Sequence, residues 1–200
     1  MLADQYITRV EKDLVAVLGK LDEVKTVAGM IVDAVLNGRR VFVSDKYGIL
    51  DSELVNRAGS LALYRSLSAG TSALESGDII IISAYHPADP FDLGVVSNAR
   101  EIGCKTISIT PPGELADSSD MALLNTFDPD NGIIDLQGIE KPFCPVNGIL
   151  NAALAWMLTA EITELLVNSG KSPSVFVNES LKNGVETNTT ARRSYTEKGY

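Results

Sequence analysis

The only histidine of the chain, His86, lies in a polar loop, residues 83–89, that directly follows the apolar run 79–82. Imidazole is the side chain best suited to gain and lose a proton near neutral pH. The loop also carries Ser83, Tyr85 and Asp89, which can bind hydroxyl groups. Because ligands of doubly wound sheets bind at the carboxyl ends of strands, this loop predicts part of a ligand site. The alternatives are a histidine that bonds only within its own loop and an aspartate that caps the next helix.

A second polar loop follows the apolar run 40–44 and carries Ser44, Asp45, Lys46 and Tyr47. The serine, the lysine and the backbone N–H groups at the start of the next helix are suited to holding an anion. A lysine in a surface loop is more often a solvated charge than a ligand, which is the alternative. We expect all four residues to bind substrate.

Two glutamates are candidates for moving protons. Glu53 lies on a helix predicted for residues 50–58. Glu161 lies on a helix predicted for residues 146–168, on a stripe whose other members are apolar: Leu150, Leu154, Met157 and Leu165. A carboxylate on such a stripe must find hydrogen bonds, find a charged partner or shift its pKa. The alternatives are an ordinary solvated charge for Glu53 and a helix flank turned to solvent for Glu161.

The segments around these residues predict strands joined by helices. Residues 79–82 and 106–109 form short β-branched runs, which are typical of parallel strands covered on both faces. A further helix is predicted at 91–102, and strands at 40–44, 61–67, 79–82, 105–110, 122–125, 132–136 and 174–177, with a turn at 128–132. This order predicts an α/β fold with a doubly wound, mainly parallel sheet.

The N-terminal segment predicts one long amphipathic helix over residues 2–36, or two helices in line with a break near Gly19 or Gly29. At 1.5 Å per residue such a helix would be about 50 Å long, more than the width of a compact domain. Part of it should project, and a partner subunit is the natural cover for its exposed stripe. We expect one domain over residues 1–178, with its helical segment at 1–37, and a polar tail at 179–200 that is either flexible or ordered against another surface.

The composition narrows the class of partner. With 17 basic and 26 acidic residues, the chain has a formal net charge of -9. This balance disfavours nucleic acid and anionic membranes, whose binding needs clustered lysine and arginine. We find no charged leader and no apolar run of membrane-spanning length, so a cytoplasmic protein is expected. Cys104 and Cys144 fit neither a disulfide framework nor a metal spacing, and no metal or other cofactor is expected.

Short motifs recur in order over most of the chain. They are Arg57-Ala58-Gly59, Ile82-Ser83, Arg100-Glu101-x-Gly103, the strand 105–110, Ile149-Leu150-Asn151-Ala152, Pro173-Ser174-Val175-Phe176-Val177 and Asn183-Gly184-x-Glu186-x-Asn188. In this order they resemble the sugar isomerase (SIS) domain family, above all its small single-domain phosphosugar-binding and phosphoheptose-isomerase-like members. The resemblance implies a three-layer α/β/α sandwich with a five-stranded sheet and a sugar or sugar phosphate as ligand. It also implies a homo-oligomer, dimer or tetramer, with the long N-terminal helix at the interface, and adds Asn188 to the expected substrate-binding residues.

The chain departs from the family in both loops that commonly hold phosphate. Ser44-Asp45-Lys46-Tyr47-Gly48 replaces a Gly-x-Gly-x-Ser pattern, and Ser83-Ala84-Tyr85-His86-Pro87 replaces Ser-x-Ser-Gly-x-Thr/Asn. Bulky Tyr85 and His86 fill space that a phosphate-cradling backbone needs. Thr187 also stands where relatives tend to have histidine.

The resemblance implies an aldose–ketose isomerase in which Glu161, Glu53 and His86 act as acid/base groups. Two alternatives stand beside it. One is a non-catalytic module that binds a carbohydrate derivative or regulates another protein. The other is a structural oligomerisation subunit.

Overall fold

The sheet has five strands, all parallel. The structure is a computed structural model that describes residues 1–68, 70–125 and 132–200. Its strands are β1 (Val41–Asp45), β2 (Tyr64–Ser66), β3 (Ile79–Ser83), β4 (Lys105–Thr110) and β5 (Met121–Leu124). They pair in the order β2-β1-β3-β4-β5. The order reverses direction between β1 and β3, so the loops after these two strands flank the point where ligands of doubly wound sheets bind.

Helices cover both faces of the sheet. They are α1 (Leu2–Val17), α2 (Leu21–Leu36), α3 (Ile49–Leu54), α4 (Pro90–Ile102), α5 (Glu114–Ser118), α6 (Asn147–Asn168) and α7 (Gly184–Lys198). Helices α2 and α6 share one apolar core with one face of the sheet, and α4 and α5 close a second core on the other. The three-layer α/β/α sandwich expected from the sequence is therefore confirmed.

Strand β3 shows why the sheet is buried on both faces. Ile79 and Ile81 belong to the core under α6, whereas Ile80 and Ile82 belong to the core under α4. Side chains alternate across a strand, so an unbroken isoleucine run serves both layers at once. The loop after β3 is thereby held between α4 and α6.

The N-terminal segment consists of two helices in line. A 3₁₀ turn, Leu18–Lys20, joins α1 to α2, and it contains Gly19, one of the two predicted break points. Helix α2 is well buried, but α1 buries only Val10, Asp13 and Val17. The projecting part of the segment is therefore α1.

Two strands expected from the sequence are absent from the described structure. Residues 132–136 make only an isolated antiparallel bridge between Ile134 and Phe143, and residues 174–177 only one between Leu61 and Val175. Pro142 and Pro145 flank the first bridge and cannot donate ladder hydrogen bonds, so that pairing cannot extend. Of the predicted turn at 128–132, residues 128–131 lie outside the described residues.

Helix α3 is shorter than expected. It ends at Leu54 rather than at residue 58, because Val55 is extended and Asn56 adopts a positive φ of 63°. The next residues turn back so that the N–H of Gly59 donates to the carbonyl of Phe176.

Residues 184–198 of the polar tail form α7. Ala191 and Tyr195 pack into the main core. Asn188 ties the helix to the preceding chain, since its side-chain amide donates to the carbonyl of Val177 at 2.9 Å and accepts from the N–H of Val177 at 2.8 Å. Residues 184–198 are thus ordered against the core of the same domain, and the domain bounds expected from the sequence stay a prediction.

Helix α6 corrects the expectation that no apolar segment approaches the length of a membrane span. By length and composition alone, its 22 residues suffice to cross a bilayer. Leu150, Leu154, Leu158 and Ile162 are nevertheless buried against the sheet and α2. We interpret α6 as the core helix of this domain, and the cytoplasmic location stays a prediction.

Candidate functional site

An open cleft of about 840 Å³ lies at the carboxyl ends of β1 and β3. Its floor and walls come from the loops after these strands, from α3 and from the first turns of α6. The lining is mostly apolar and aromatic: Tyr47, Ile49, Glu53, Tyr85, Pro145, Asn147, Gly148, Ile149, Ala152 and Trp156. Its position is the one the sequence predicted, and its size suits a small organic molecule.

Glu53 is held in place on one wall of this cleft. Its Oε2 accepts a hydrogen bond from the indole Nε1 of Trp156 at 3.2 Å. Its Oε1 accepts from Arg57, four residues further along the chain and beyond the end of α3. Glu53 is the one carboxylate among the described residues that line the cleft. The structure therefore presents a fixed carboxylate next to an aromatic surface.

Two tyrosines form another part of the cleft lining. The rings of Tyr47 and Tyr85 meet edge to face, with centroids 5.5 Å apart. The Tyr85 hydroxyl points towards Asp45 and lies 3.5 Å from its Oδ2. Burial and the neighbouring Asp45 charge raise the pKa of Tyr85 well above its ordinary value of 10. The phenol therefore stays protonated at neutral pH and acts as a hydrogen-bond donor.

Asp45 closes the start of α3. Its Oδ1 accepts from the N–H of Tyr47 at 2.9 Å, and its Oδ2 accepts from the N–H of Leu50 at 2.6 Å. The backbone amides that the sequence suggested for an anion thus already bind a carboxylate of the chain itself. Buried Ser44 lies behind this residue.

Lys46 joins the two loops. Its Nζ donates to Asp89 Oδ2 at 2.7 Å, while Asp89 Oδ1 accepts from the N–H of Phe91 and caps α4. The hydrogen bond with Asp89 raises the pKa of Lys46, and the same bond lowers the pKa of Asp89. Ser44 and Lys46 open not onto the main cleft but onto a second depression of about 430 Å³ beside the loop after β2.

The structure places His86 outside the cleft lining. The side chain is exposed, and its Nδ1 accepts a hydrogen bond from the N–H of Ala88 at 3.2 Å. This local bond is the alternative that the sequence left open for His86. Its role as an acid/base group stays a prediction.

Glu161 also lies apart from the cleft. It follows Trp156 by five residues, which turns it about 140° around α6 and about 7 Å further along the axis. The buried stripe of α6 is Leu150, Leu154, Leu158, Ile162 and Leu166, so the stripe assigned from the sequence was shifted by one residue beyond Leu154. Half-buried Glu161 therefore occupies the flank of the helix, not an apolar position.

The side chain of Asn188 makes hydrogen bonds within the fold. The oxygen and the nitrogen of its side-chain amide both bind the backbone of Val177, and Asn188 is not among the described residues that line the cleft. We therefore interpret it as the residue that anchors α7, and its substrate-binding role stays a prediction.

Asn151 organises the floor of the site and was not found from the sequence. Its Nδ2 lies within hydrogen-bonding distance of Ser83 Oγ and of the carbonyl oxygens of Ala84 and Ile109, at 3.1 to 3.4 Å. Its Oδ1 accepts from the side chain of Asn125 at 2.7 Å. One residue of α6 thus joins the ends of β3 and β4 to the end of β5, and the predicted ligand residue Ser83 belongs to this buried network.

Asp92 is a second residue that the sequence did not reveal. It lies in the first turn of α4 and is 2% exposed, and within the described chain its Oδ1 has no hydrogen-bond partner. Burial and the charges of Asp89 and Asp45 raise its pKa to about 7, while Lys46 opposes that rise. Tyr85 is also near enough to feel its charge.

We expect Asp92→Asn to stabilise the protein at pH 8 and to have little effect at pH 4. In the unfolded chain the carboxyl ionises near its ordinary value of 3.8, whereas in the folded protein it ionises near 7. The wild type therefore loses stability as pH rises from about 4 to 7, and the amide removes that loss. The expected gain at pH 8 is on the order of 4 kcal/mol, since each pKa unit corresponds to about 1.4 kcal/mol. Urea unfolding at pH 4, 6 and 8 measures it, and a gain independent of pH would contradict this origin.

No family model matches the chain. Relatives among curated proteins are UPF0309 proteins. One from Streptomyces griseus is 22% identical over 88% of this chain and 88% of its own length. Another from Lysinibacillus sphaericus is 25% identical over 90% of this chain and 88% of its own.

Solved structures show the fold. A phosphoheptose isomerase from Francisella tularensis aligns with a TM-score of 0.60, at 15% identity, over 81% of this chain and 96% of that one. The sugar isomerase domain of an RpiR transcription factor from Sphaerobacter thermophilus aligns at 0.53 and 16% identity, over 98% of both chains. A Methanococcus jannaschii protein, inferred from its structure to be a 3-hexulose-6-phosphate isomerase, aligns at 0.50 and 15% identity, over 82% of this chain and 90% of that one. The chain thus has an SIS-like fold, as the sequence resemblance implied.

Proposed function

We propose that the protein binds a sugar or a sugar derivative in the main cleft and interconverts its aldose and ketose forms. The observation that carries the proposal is the cleft itself. It lies at the carboxyl ends of β1 and β3 of an SIS-like sheet, and it combines a fixed carboxylate, Glu53, with aromatic walls. Solved structures with this fold include a phosphoheptose isomerase and a protein inferred to be a 3-hexulose-6-phosphate isomerase.

Glu53 is the acid/base group in this proposal. Its carboxylate takes the proton from the carbon next to the sugar carbonyl and returns it to the neighbouring carbon, while one hydroxyl proton moves between the two oxygens. Trp156 and Arg57 hold the carboxylate in one orientation, which keeps it ready for both transfers.

Tyr85 is the hydrogen-bond donor to the oxygen that becomes negative in the enediolate. Its raised pKa keeps the phenol protonated, and it lines the same cleft as Glu53. In this proposal the hydroxyl turns its one proton from Asp45 to the substrate oxygen when the sugar binds. A neutral donor placed at the developing charge stabilises the transition state without surrendering its proton.

A thermal-shift screen with free sugars and sugar phosphates tests binding. A ligand at 100 times its dissociation constant should stabilise the protein by about 2.7 kcal/mol. Absence of any shift across the screen would contradict the proposal and leave the structural oligomerisation subunit as the better account.

A non-catalytic regulatory module is the second candidate. The sugar isomerase domain of the RpiR transcription factor has the same fold and is part of a regulatory protein. Glu53 also has no second carboxylate beside it among the described residues that line the cleft. This candidate expects binding without exchange of protons between sugar and solvent.

We also propose that α1 pairs with α1 of a second copy. Its outer side carries an apolar groove of about 410 Å³, and Ile7, Val15 and Leu18 are 61%, 61% and 66% exposed. The groove residues map onto one another when the helix is reversed: Ile7 onto Leu18, Val10 onto Val15, and Glu11 onto Leu14. A two-fold interface needs such a self-complementary surface.

Val15→Glu should therefore shift the protein to a smaller oligomer. A second carboxylate in the paired surface, added to that of Glu11, must be desolvated or must separate the helices. Light scattering after size exclusion measures the mass, with Gln5→Lys on the other side of α1 as the control. An unchanged mass for Val15→Glu, or a monomeric wild type, would contradict this pairing.

A further inference from the structure

In the two loops at the carboxyl ends of β1 and β3, carboxylates of the chain itself already accept hydrogen bonds from the backbone amides. In the first, the amides of Tyr47 and Leu50 donate to the carboxylate of Asp45 at 2.9 and 2.6 Å. In the second, the amide of Phe91 donates to Asp89 at 2.9 Å. These are the backbone donors that an anionic ligand at helix starts would need.

The cation nearest these loops is also engaged. Lys46 binds Asp89 at 2.7 Å, so its charge is already partly neutralised, and a phosphate bound to its ammonium would lie beside a carboxylate. His86 lies beside Asp89 and lowers the pKa of that carboxyl. Asp51 adds another carboxylate to the depression onto which Lys46 opens.

The buried carboxyl of Asp92 gives separate evidence on the balance of positive and negative charge around these two loops. This carboxyl is buried between the two loops, and one of its oxygens has no partner within the described chain. Burial is the largest cause of its raised pKa, and the charges of Asp89 and Asp45 add to that rise more than Lys46 opposes it. A site that disfavours one more carboxylate also disfavours a dianionic phosphate, because like charges repel.

We infer that the ligand presents hydroxyl or amino groups, not a phosphate, to the loops that follow β1 and β3, so that the substrate class is an unphosphorylated sugar or amino sugar. This inference rests on the proposed function and names its substrate class. Tyr85, whose hydroxyl lies 3.5 Å from Asp45, offers a hydroxyl or amino group of the ligand a hydrogen-bonding partner in the main cleft. The aromatic walls of Tyr47, Tyr85 and Trp156 cover the apolar face of the sugar ring.

Matched ligands test the choice. Glucose and glucosamine are titrated beside their 6-phosphates by calorimetry, together with inorganic phosphate alone. We expect each free sugar that binds to do so at least about tenfold more tightly than its phosphate. In the double variant Asp45→Ser, Asp89→Asn this preference should shrink or reverse, and inorganic phosphate should stabilise the variant but not the wild type. Asp33→Asn, an exposed charge change on α2, is the matched control and should behave as the wild type.

The outcomes separate the two proposals. A wild type that binds the phosphates tenfold more tightly than the free sugars overturns this inference and leaves the proposed function standing. Inorganic phosphate that stabilises the wild type as much as the double variant also overturns it, whatever sugar binds. No response to any sugar, free or phosphorylated, overturns the proposed function and this inference with it.

Discussion

Glu53→Gln should lower the rate at which solvent deuterium enters C1 or C2 of a bound sugar by about 10²- to 10⁴-fold. The amide is the same size, and its oxygen can still accept the hydrogen bond from Trp156, whereas the bond from Arg57 is lost because the amide nitrogen cannot accept. It cannot accept a proton, however, and the enediolate pathway loses its base. Proton NMR of the sugar in deuterated buffer follows the exchange directly, and thermal shift shows whether binding survives.

Glu161→Gln is the matched control for this experiment, because it makes the same chemical change on the outer flank of α6. The geometry predicts an unchanged rate. If Glu161→Gln removed exchange and Glu53→Gln did not, the assignment of the base to Glu53 would be wrong and the sequence-based role of Glu161 would stand. A wild type that binds sugar without any exchange would favour the non-catalytic module.

Asn151→Ala should reduce the free energy of unfolding by about 3 kcal/mol, because several buried polar groups lose a partner together. The lost contacts involve Ser83, Ala84 and Ile109 at the ends of β3 and β4, and Asn125 after β5. For a chain of 200 residues this corresponds to a fall in melting temperature of roughly 6 to 12 °C. Urea unfolding and calorimetry measure both quantities.

Asn147→Ala provides the comparison one turn earlier on the same helix. Asn147 makes one hydrogen bond within the described structure, to the carbonyl of Tyr85 at 3.3 Å, and its loss should amount to about 1 kcal/mol. Equal losses for the two variants would show that Asn151 is not the hub of the network.

The sequence was sufficient for features that depend on local pattern. The isoleucine run of β3, the glycine that ends α4 and the in-line break at Gly19 are each visible within a few residues. Asp89 before Pro90 was recognised as a possible helix cap for the same reason, and that is the bond it makes. The sheet and its layers follow from such signals.

The site was less predictable, because its decisive contacts join residues far apart in the chain. Asn151 reaches Ser83 and Asn125 across 68 and 26 positions, and nothing near it in sequence specifies those partners. The usable signal was a polar residue beside Leu150 and Leu154 on the buried side of α6. Glu161 shows the opposite case, since a shift of one residue in the helical stripe placed a half-buried flank carboxylate on the predicted apolar stripe. The flank was the alternative that the sequence left open.

Asp45 shows how one side chain can change what a loop is able to bind. From the sequence it was a substrate-binding candidate beside Lys46 in a loop suited to anions. In the structure its carboxylate takes the amide hydrogen bonds that an anion would use. Whether an internal carboxylate or an external phosphate accepts these amide hydrogen bonds depends on distances in the folded protein. Composition and residue spacing do not specify those distances.

The single tryptophan of the chain, Trp156, provides the most direct test that sugars bind in this cleft. Its indole N–H gives one resonance in a proton–nitrogen correlation spectrum and lies on the cleft wall against Glu53. We predict that a sugar which stabilises the protein shifts this resonance in a saturable way. The dissociation constant from the resonance shift should equal the one from calorimetry. A stabilising sugar that leaves the indole resonance unmoved would place its site elsewhere and contradict the central claim.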